Sequence, residues 1–195
     1  MVKAYIFILG ILVPLSWASF CPELEGKLDF KPEKFVGQWY YAAYNTNPNR
    51  PWQIKCAEFN VTSRQVENTG RHKLNYLFSY ISNERKIYVT MHTESVDPEL
   101  PGSFYSVGKR VQSDFWSDVH RAAIVATDYE NYAVAILCSP VFRVDTKDFE
   151  ASVWGYIWTR SRVLDDETFS VLKNVLIDHG VPKSTIQDSR NEENC

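Results

Sequence analysis

The chain has 195 residues, one domain's worth once a leader is set aside, and its 45% apolar and 23% charged content excludes a disordered tail or a collagen-like chain. Lys and Arg number 21 against 24 Asp and Glu, a net charge of −3 with no block of like charge, which argues against nucleic acid as the main partner. The unusual figure is the aromatic fraction, 14%, ring surface that must be buried or offered to a ligand.

Residues 1–18 read as a secretory signal peptide: Lys3, an apolar run to Leu15, then Ser16 and Ala18 as the small residues at the −3 and −1 positions of a cut after Ala18. An uncleaved anchor would need about 20 apolar residues, and Pro14 and the cut site argue against one. No later stretch is long and apolar enough to cross a bilayer as a helix. The expected product is a secreted, soluble, extracellular domain of residues 19–195.

Alternation at every second position, the period of a half-buried strand, recurs over eight segments: 35–45, 56–67, 72–82, 85–94, 103–111, 119–128, 131–138 and 152–160. Turn signals separate them, among them Asn68-Thr69-Gly70 and the run from Asp97 to Gly102. The connections are too short for crossover helices, so the strands are antiparallel neighbours. Thr46 to Gln53, with two prolines and Trp52, is long for a hairpin and has the character of a lid. Asn60-Val61-Thr62 is a glycosylation sequon. After the last strand, Asp165 is an N-cap candidate followed by an acidic turn. Phe169, Leu172, Val175 and Leu176 then share a helix face, and Gly180 and Pro182 stop it. The polar stretch from Gln187 to Asn194 has Cys195 as its only anchor.

This order implies an all-β fold, an eight-stranded antiparallel up-and-down barrel with one C-terminal helix packed outside. A sandwich is the other architecture the strand count permits. In a meander, Trp39, Asp128 and Arg160 all fall at one end of the barrel. Cys21, Cys56, Cys138 and Cys195 follow the leader, an even count that implies two disulfides in one of three connectivities. Neither CxxC nor HxxxH spacing occurs, so no metal is expected, and no cofactor.

Three neighbourhoods carry a resemblance: Phe35-Val36-Gly37-Gln38-Trp39-Tyr40, Thr127-Asp128-Tyr129 and Thr159-Arg160-Ser161. They are similar to the three sequence blocks of the lipocalin family, in order and at its spacing. Within it, Asp128-Tyr129-Glu130-Asn131-Tyr132-Ala133 and Cys138 resemble the apolipoprotein D, Lazarillo, insect bilin-binding and crustacyanin group. The resemblance implies a barrel closed at one end and open at the other, with a cavity for a small apolar ligand. It also implies the pairing Cys21–Cys138 and Cys56–Cys195.

With Trp39 and Arg160 inward at the closed end, parity turns Trp158, Tyr156, Trp154, Tyr41 and Ala43 inward, and strand three offers Leu74, Tyr76, Phe78 and Tyr80 on one face. Tyr41, Tyr76, Phe78, Trp154 and Tyr156 are the candidate ligand contacts. Gly37, Trp39, Asp128 and Arg160 are assigned to a structural plug, with the guanidinium over the indole and Asp128 satisfying turn donors. Trp52, Phe115 and Trp116 are either lid contacts or surface residues.

The leading expectation is a secreted carrier of a small hydrophobic molecule, whether lipid, retinoid, carotenoid or bilin, held by apolar burial without chemistry. One lipocalin branch is a prostaglandin synthase that uses a barrel thiol, but here all four cysteines are assigned to disulfides. A haem role would need a strand histidine, and His92 lies on the more polar face of its strand. Receptor binding or homo-oligomer formation through the loops is the alternative.

Overall fold

A computed structural model describes residues 21, 24–46, 54–190 and 195. The leader and Trp52, with most of the expected lid, lie outside the described residues. A short helix α1 (Pro32–Phe35) leads into β1 (Gly37–Asn45), followed by β2 (Lys55–Gln65), β3 (His72–Ser82), β4 (Arg85–Ser95), β5 (Ser103–Arg110), β6 (His120–Thr127), β7 (Tyr132–Arg143) and β8 (Asp148–Thr159). Helix α2 (Asp166–Asp178), a 3-10 turn and a short β9 (Ile186–Asp188) complete the order. From β1 to β8 consecutive strands pair antiparallel, and β1 pairs with both β2 and β8, which closes the barrel.

Strand β1 changes partner along its length. Gly37 to Tyr40 face Val61 to Glu58 of β2, while Tyr40 to Tyr44 face Thr159 to Tyr156 of β8. Beyond the β2 pairing, β9 pairs Ala43 to Asn45 with Asp188 to Ile186, covering an edge that would otherwise be open. A bulge between Tyr41 and Ala43 shifts the register against β8. Ala43, expected inward, therefore packs outward with Val134, Ile157 and Leu176 under α2. Tyr44 takes the inward position instead, against Ile54, Ala57 and Tyr80.

Helix α2 follows its sequence signals. The Asp165 carboxylate accepts from the Thr168 N–H at 2.8 Å, and Phe169, Leu172 and Leu176 are buried against the barrel. The helix lies close to β8 because Gly155 has no side chain. A Cβ there would stand 2.6 Å from Val181 Cγ2 and 2.9 Å from Leu176 Cδ2.

The tail is more firmly held than its polarity suggested. Besides β9, the Ser189 hydroxyl donates to Tyr41 O at 3.1 Å, and Arg190 lies over the Phe169 ring at 3.8 Å while pairing with Asp166 and Asp188. The disulfides are Cys21–Cys138, which ties the N-terminal segment to β7, and Cys56–Cys195, which ties the C-terminus to β2.

At the closed end the Arg160 guanidinium lies 3.8 Å from the Trp39 ring centre. It donates to four carbonyl oxygens, those of Tyr129 (3.0 Å), Gln38 (2.8 Å), Lys34 (3.3 Å) and Val36 (3.0 Å). Trp39 is wholly buried, stacks on Phe35 at 4.9 Å and donates its indole N–H to Phe35 O at 2.9 Å. Gly37 holds a φ of +100° and lies under Arg160, where a Cβ would come within 3.3 Å of Nη1. Asp128 Oδ1 accepts from the N–H groups of Glu130, Asn131 and Tyr132 at 2.8 to 3.1 Å. Burial pushes its carboxyl upward, but these hydrogen bonds prevail and hold it below the usual range.

Three outcomes are expected. Trp39→Ala should lower stability by about 3–5 kcal/mol in thermal or denaturant unfolding. Arg160→Lys should lower it by less, since an ammonium keeps the charge and loses the fork and the stacking. Either variant melting like the wild type would refute the plug's structural role. In peptide maps without reduction, only Cys21–Cys138 and Cys56–Cys195 linkages should be found. Each closes a loop of more than 100 residues, worth up to roughly 4–5 kcal/mol in the chain-entropy account.

Candidate ligand-binding site

Above the plug the barrel encloses a chamber of about 330 Å³. One wall is aromatic: Tyr41 of β1, Phe59 of β2, Tyr76, Phe78 and Tyr80 of β3, and Tyr156 of β8. Its rings pack closely, with Tyr41 5.1 Å from Phe78 and 5.5 Å from Tyr156, and Phe78 stacked on Tyr80 at 5.2 Å. Trp158 forms the floor between chamber and plug, 4.8 Å from Phe59 and 6.3 Å from Phe35. Val89 and Met91 of β4, Ala122 and Ile124 of β6, and Ala135 and Leu137 of β7 supply aliphatic lining.

The remaining wall is different. β5 contributes Phe104, Ser106, Gly108 and Arg110 at alternate positions, and β6 contributes His120 directly opposite Ser106. The His120 imidazole meets the edge of Trp154 at 5.5 Å. Burial pushes this imidazole below its ordinary pKa, with nearby Asp118 working in the opposite sense. The Ser106 hydroxyl, His120 Nδ1 and Trp158 indole N–H are buried with no acceptor or donor at hydrogen-bonding geometry.

Three phenols of the aromatic wall lie inside the barrel, Tyr76 buried and Tyr41 and Tyr156 half-buried against the chamber. Burial pushes Tyr41 and Tyr76 well above the ordinary phenol range and Tyr156 up to about 12, and the neighbouring Tyr156 adds to the rise at Tyr41. They are neutral at physiological pH and act as amphipathic rings.

The family model described as Triabin matches residues 19–149, more than half of the chain. Apolipoprotein D of Macaca fascicularis is 39% identical over 174 residues, spanning 86% of this chain and 79% of that protein. The chain belongs to the lipocalin family. Insecticyanin-A of Manduca sexta is a further relative, 29% identical over 165 residues, 83% of this lipocalin and 80% of its own length. Among solved structures, the tryptamine complex of the amine binding protein of Rhodnius prolixus superposes with a TM-score of 0.66 at 17% identity, over 90% of this chain and 89% of that one. At that identity the likeness is one of fold.

In this lipocalin, Tyr41, Tyr76, Phe78, Trp154 and Tyr156 all line the one chamber. Phe115 and Trp116 do not. Phe115 is 85% exposed, and Trp116 lies on the outer face against His92 at 5.4 Å and Lys109 at 5.2 Å. His92 is itself outward, its Nδ1 2.6 Å from Asn75 Oδ1, and lines no part of the chamber. Asn60 is exposed on β2. Sequence reasoning missed Ser106, Arg110 and His120. The alternation from Phe104 to Arg110 carries their parity, but its inward residues after Phe104 are small or polar and leave no apolar stripe.

The enclosed phenols give a pH dependence with a definite sign. Their folded pKa values lie above the unfolded ones, so the folded chain binds more protons at alkaline pH, and stability should fall as pH rises past about 10. In a spectrophotometric titration, the phenolate signal of these three should be absent near pH 10 and emerge together with unfolding. A native titration in which every tyrosine ionises near 10 would refute their enclosure.

Proposed function

We propose that this lipocalin is a secreted carrier that takes one small hydrophobic molecule into the barrel chamber and performs no chemistry on it. The observation that carries the reading is the chamber itself, a void of about 330 Å³ walled by aromatic and aliphatic side chains above a sealed floor. A fully packed core would have filled that space. Two disulfides fit an oxidising, extracellular setting. They also engage all four cysteines, which leaves no thiol for a nucleophile of the synthase kind. No described helix is long and apolar enough to cross a membrane. Tyr41, Tyr76, Phe78, Trp154 and Tyr156 are the proposed contacts, and exposed Asn60 the proposed glycan site.

A second reading, interaction or oligomer formation through the loops, draws on the far end of the β7–β8 ribbon. There Phe142 and Phe149, 5.2 Å apart, are 49% and 54% exposed. A concentration-dependent shift in size-exclusion chromatography would favour it.

The carrier reading predicts saturable quenching of tryptophan fluorescence by a retinoid, a fatty acid or a bilin. Trp154→Ala should weaken that binding by about 1–3 kcal/mol, one large apolar contact, and leave the melting temperature nearly unchanged. A large loss of stability with unchanged affinity would make Trp154 a packing residue. If no member of a broad apolar panel binds the wild type below about 10 μM, the carrier reading fails.

A further inference from the structure

We infer that the chamber selects an apolar molecule bearing one carboxylate, whose head group is received by Ser106 and His120 on the polar wall with Arg110 towards the mouth. The inference rests on the carrier reading and names its class of cargo.

Several buried hydroxyls elsewhere in the barrel are partnered. Ser103 donates to Leu24 O at 3.1 Å, Thr93 to Leu74 O at 3.2 Å, and Ser95 accepts from the His72 N–H at 2.9 Å. Ser106 is 1% exposed, yet its hydroxyl has no partner, and neither has Nδ1 of His120, its register neighbour on the same inward face. Unpaired buried polar atoms are rare and costly in a folded chain. Carried by register partners that both line the chamber, these two form a seat for a ligand's polar group. The Trp154 edge against the imidazole holds that seat in place.

The charge of the lining indicates the head group. Among the described residues that line the chamber there is no Asp or Glu, and the ionisable cations are Lys109, Arg110 and His120. Arg110 continues the inward row of Ser106 and Gly108, opposite Val89 of the lining. Lys109 points the other way, onto Trp116. Asp118 acts on the imidazole from the preceding loop but does not line the chamber. A buried ammonium would find no counter-charge here, whereas a carboxylate can accept from the serine hydroxyl and the imidazole in the field of Arg110. A head group of the amine kind, as in the tryptamine complex of the Rhodnius protein, is thus disfavoured in this chain.

The test uses three probes of one chain length, dodecanoate, dodecan-1-ol and dodecylamine, titrated at neutral pH against the intact disulfide-bonded protein by tryptophan quenching. Dodecanoate should bind about tenfold or more tightly than either of the others. Ser106→Ala and His120→Phe should each weaken dodecanoate more than dodecan-1-ol and so narrow the gap between the two. Neither should lower the melting temperature, because each removes an unpartnered buried group, and Arg110→Gln should weaken dodecanoate several-fold. Equal binding of acid and alcohol, or tighter binding of the amine, overturns the inference while the carrier reading stands. Loss of stability in Ser106→Ala with the acid preference intact also overturns it. If none of the three probes and no other apolar compound binds, the carrier reading itself has failed.

Discussion

A strand has two edges, and β1 must serve three partners with them. Closure of the barrel depends on how it does so: β2 takes one edge near the plug, β8 the other, and β9 takes over where β2 has left. The bulge at Ala42 permits the exchange. It sets Trp39 and Tyr41 inward for plug and chamber, turns Ala42 and Ala43 out beneath α2, and returns Tyr44 to the interior. One extra residue in one strand thus apportions the core between the helix interface outside the barrel and the chamber inside it.

The two ends of the barrel use similar side chains to opposite effect. At the closed end the rings of Phe35 and Trp39 are packed and the Arg160 guanidinium is spent on backbone carbonyls, leaving nothing to offer a ligand. Past Trp158 the rings line a space instead of filling it, and the Ser106 hydroxyl of β5 and Nδ1 of His120 of β6 are left without protein partners. The plug supplies rigidity, so a void can persist above it without collapse.

Most of the fold was legible because half-buried strands alternate, and because Asp165 and Gly180 punctuate α2 as cap and stop. The failures have physical causes. β7 runs on to Arg143 and β8 begins at Asp148, well beyond the expected 138 and 152, because this ribbon is exposed on both faces and has no apolar period. β9 is three residues long, too short for a pattern, and Arg190 is held by an aromatic face and two carboxylates that no local rule brings together. Ala43 was misplaced because parity counting cannot register a bulge. The aromatic wall followed from alternation in β3 and β8, whereas the Ser106 and His120 seat needed the β5–β6 register, which sequence does not carry.

The two disulfides overlap in sequence, one spanning Cys21 to Cys138 and the other Cys56 to Cys195. Any single cut of the backbone between Cys21 and Cys195 therefore leaves one covalent molecule, and a cut between Cys56 and Cys138 leaves its two pieces joined by both bonds. Exposed connections such as that around Phe115 lie within the doubly spanned stretch. A nick there by a protease opens a loop without releasing a strand, so the barrel can outlast damage to its rim.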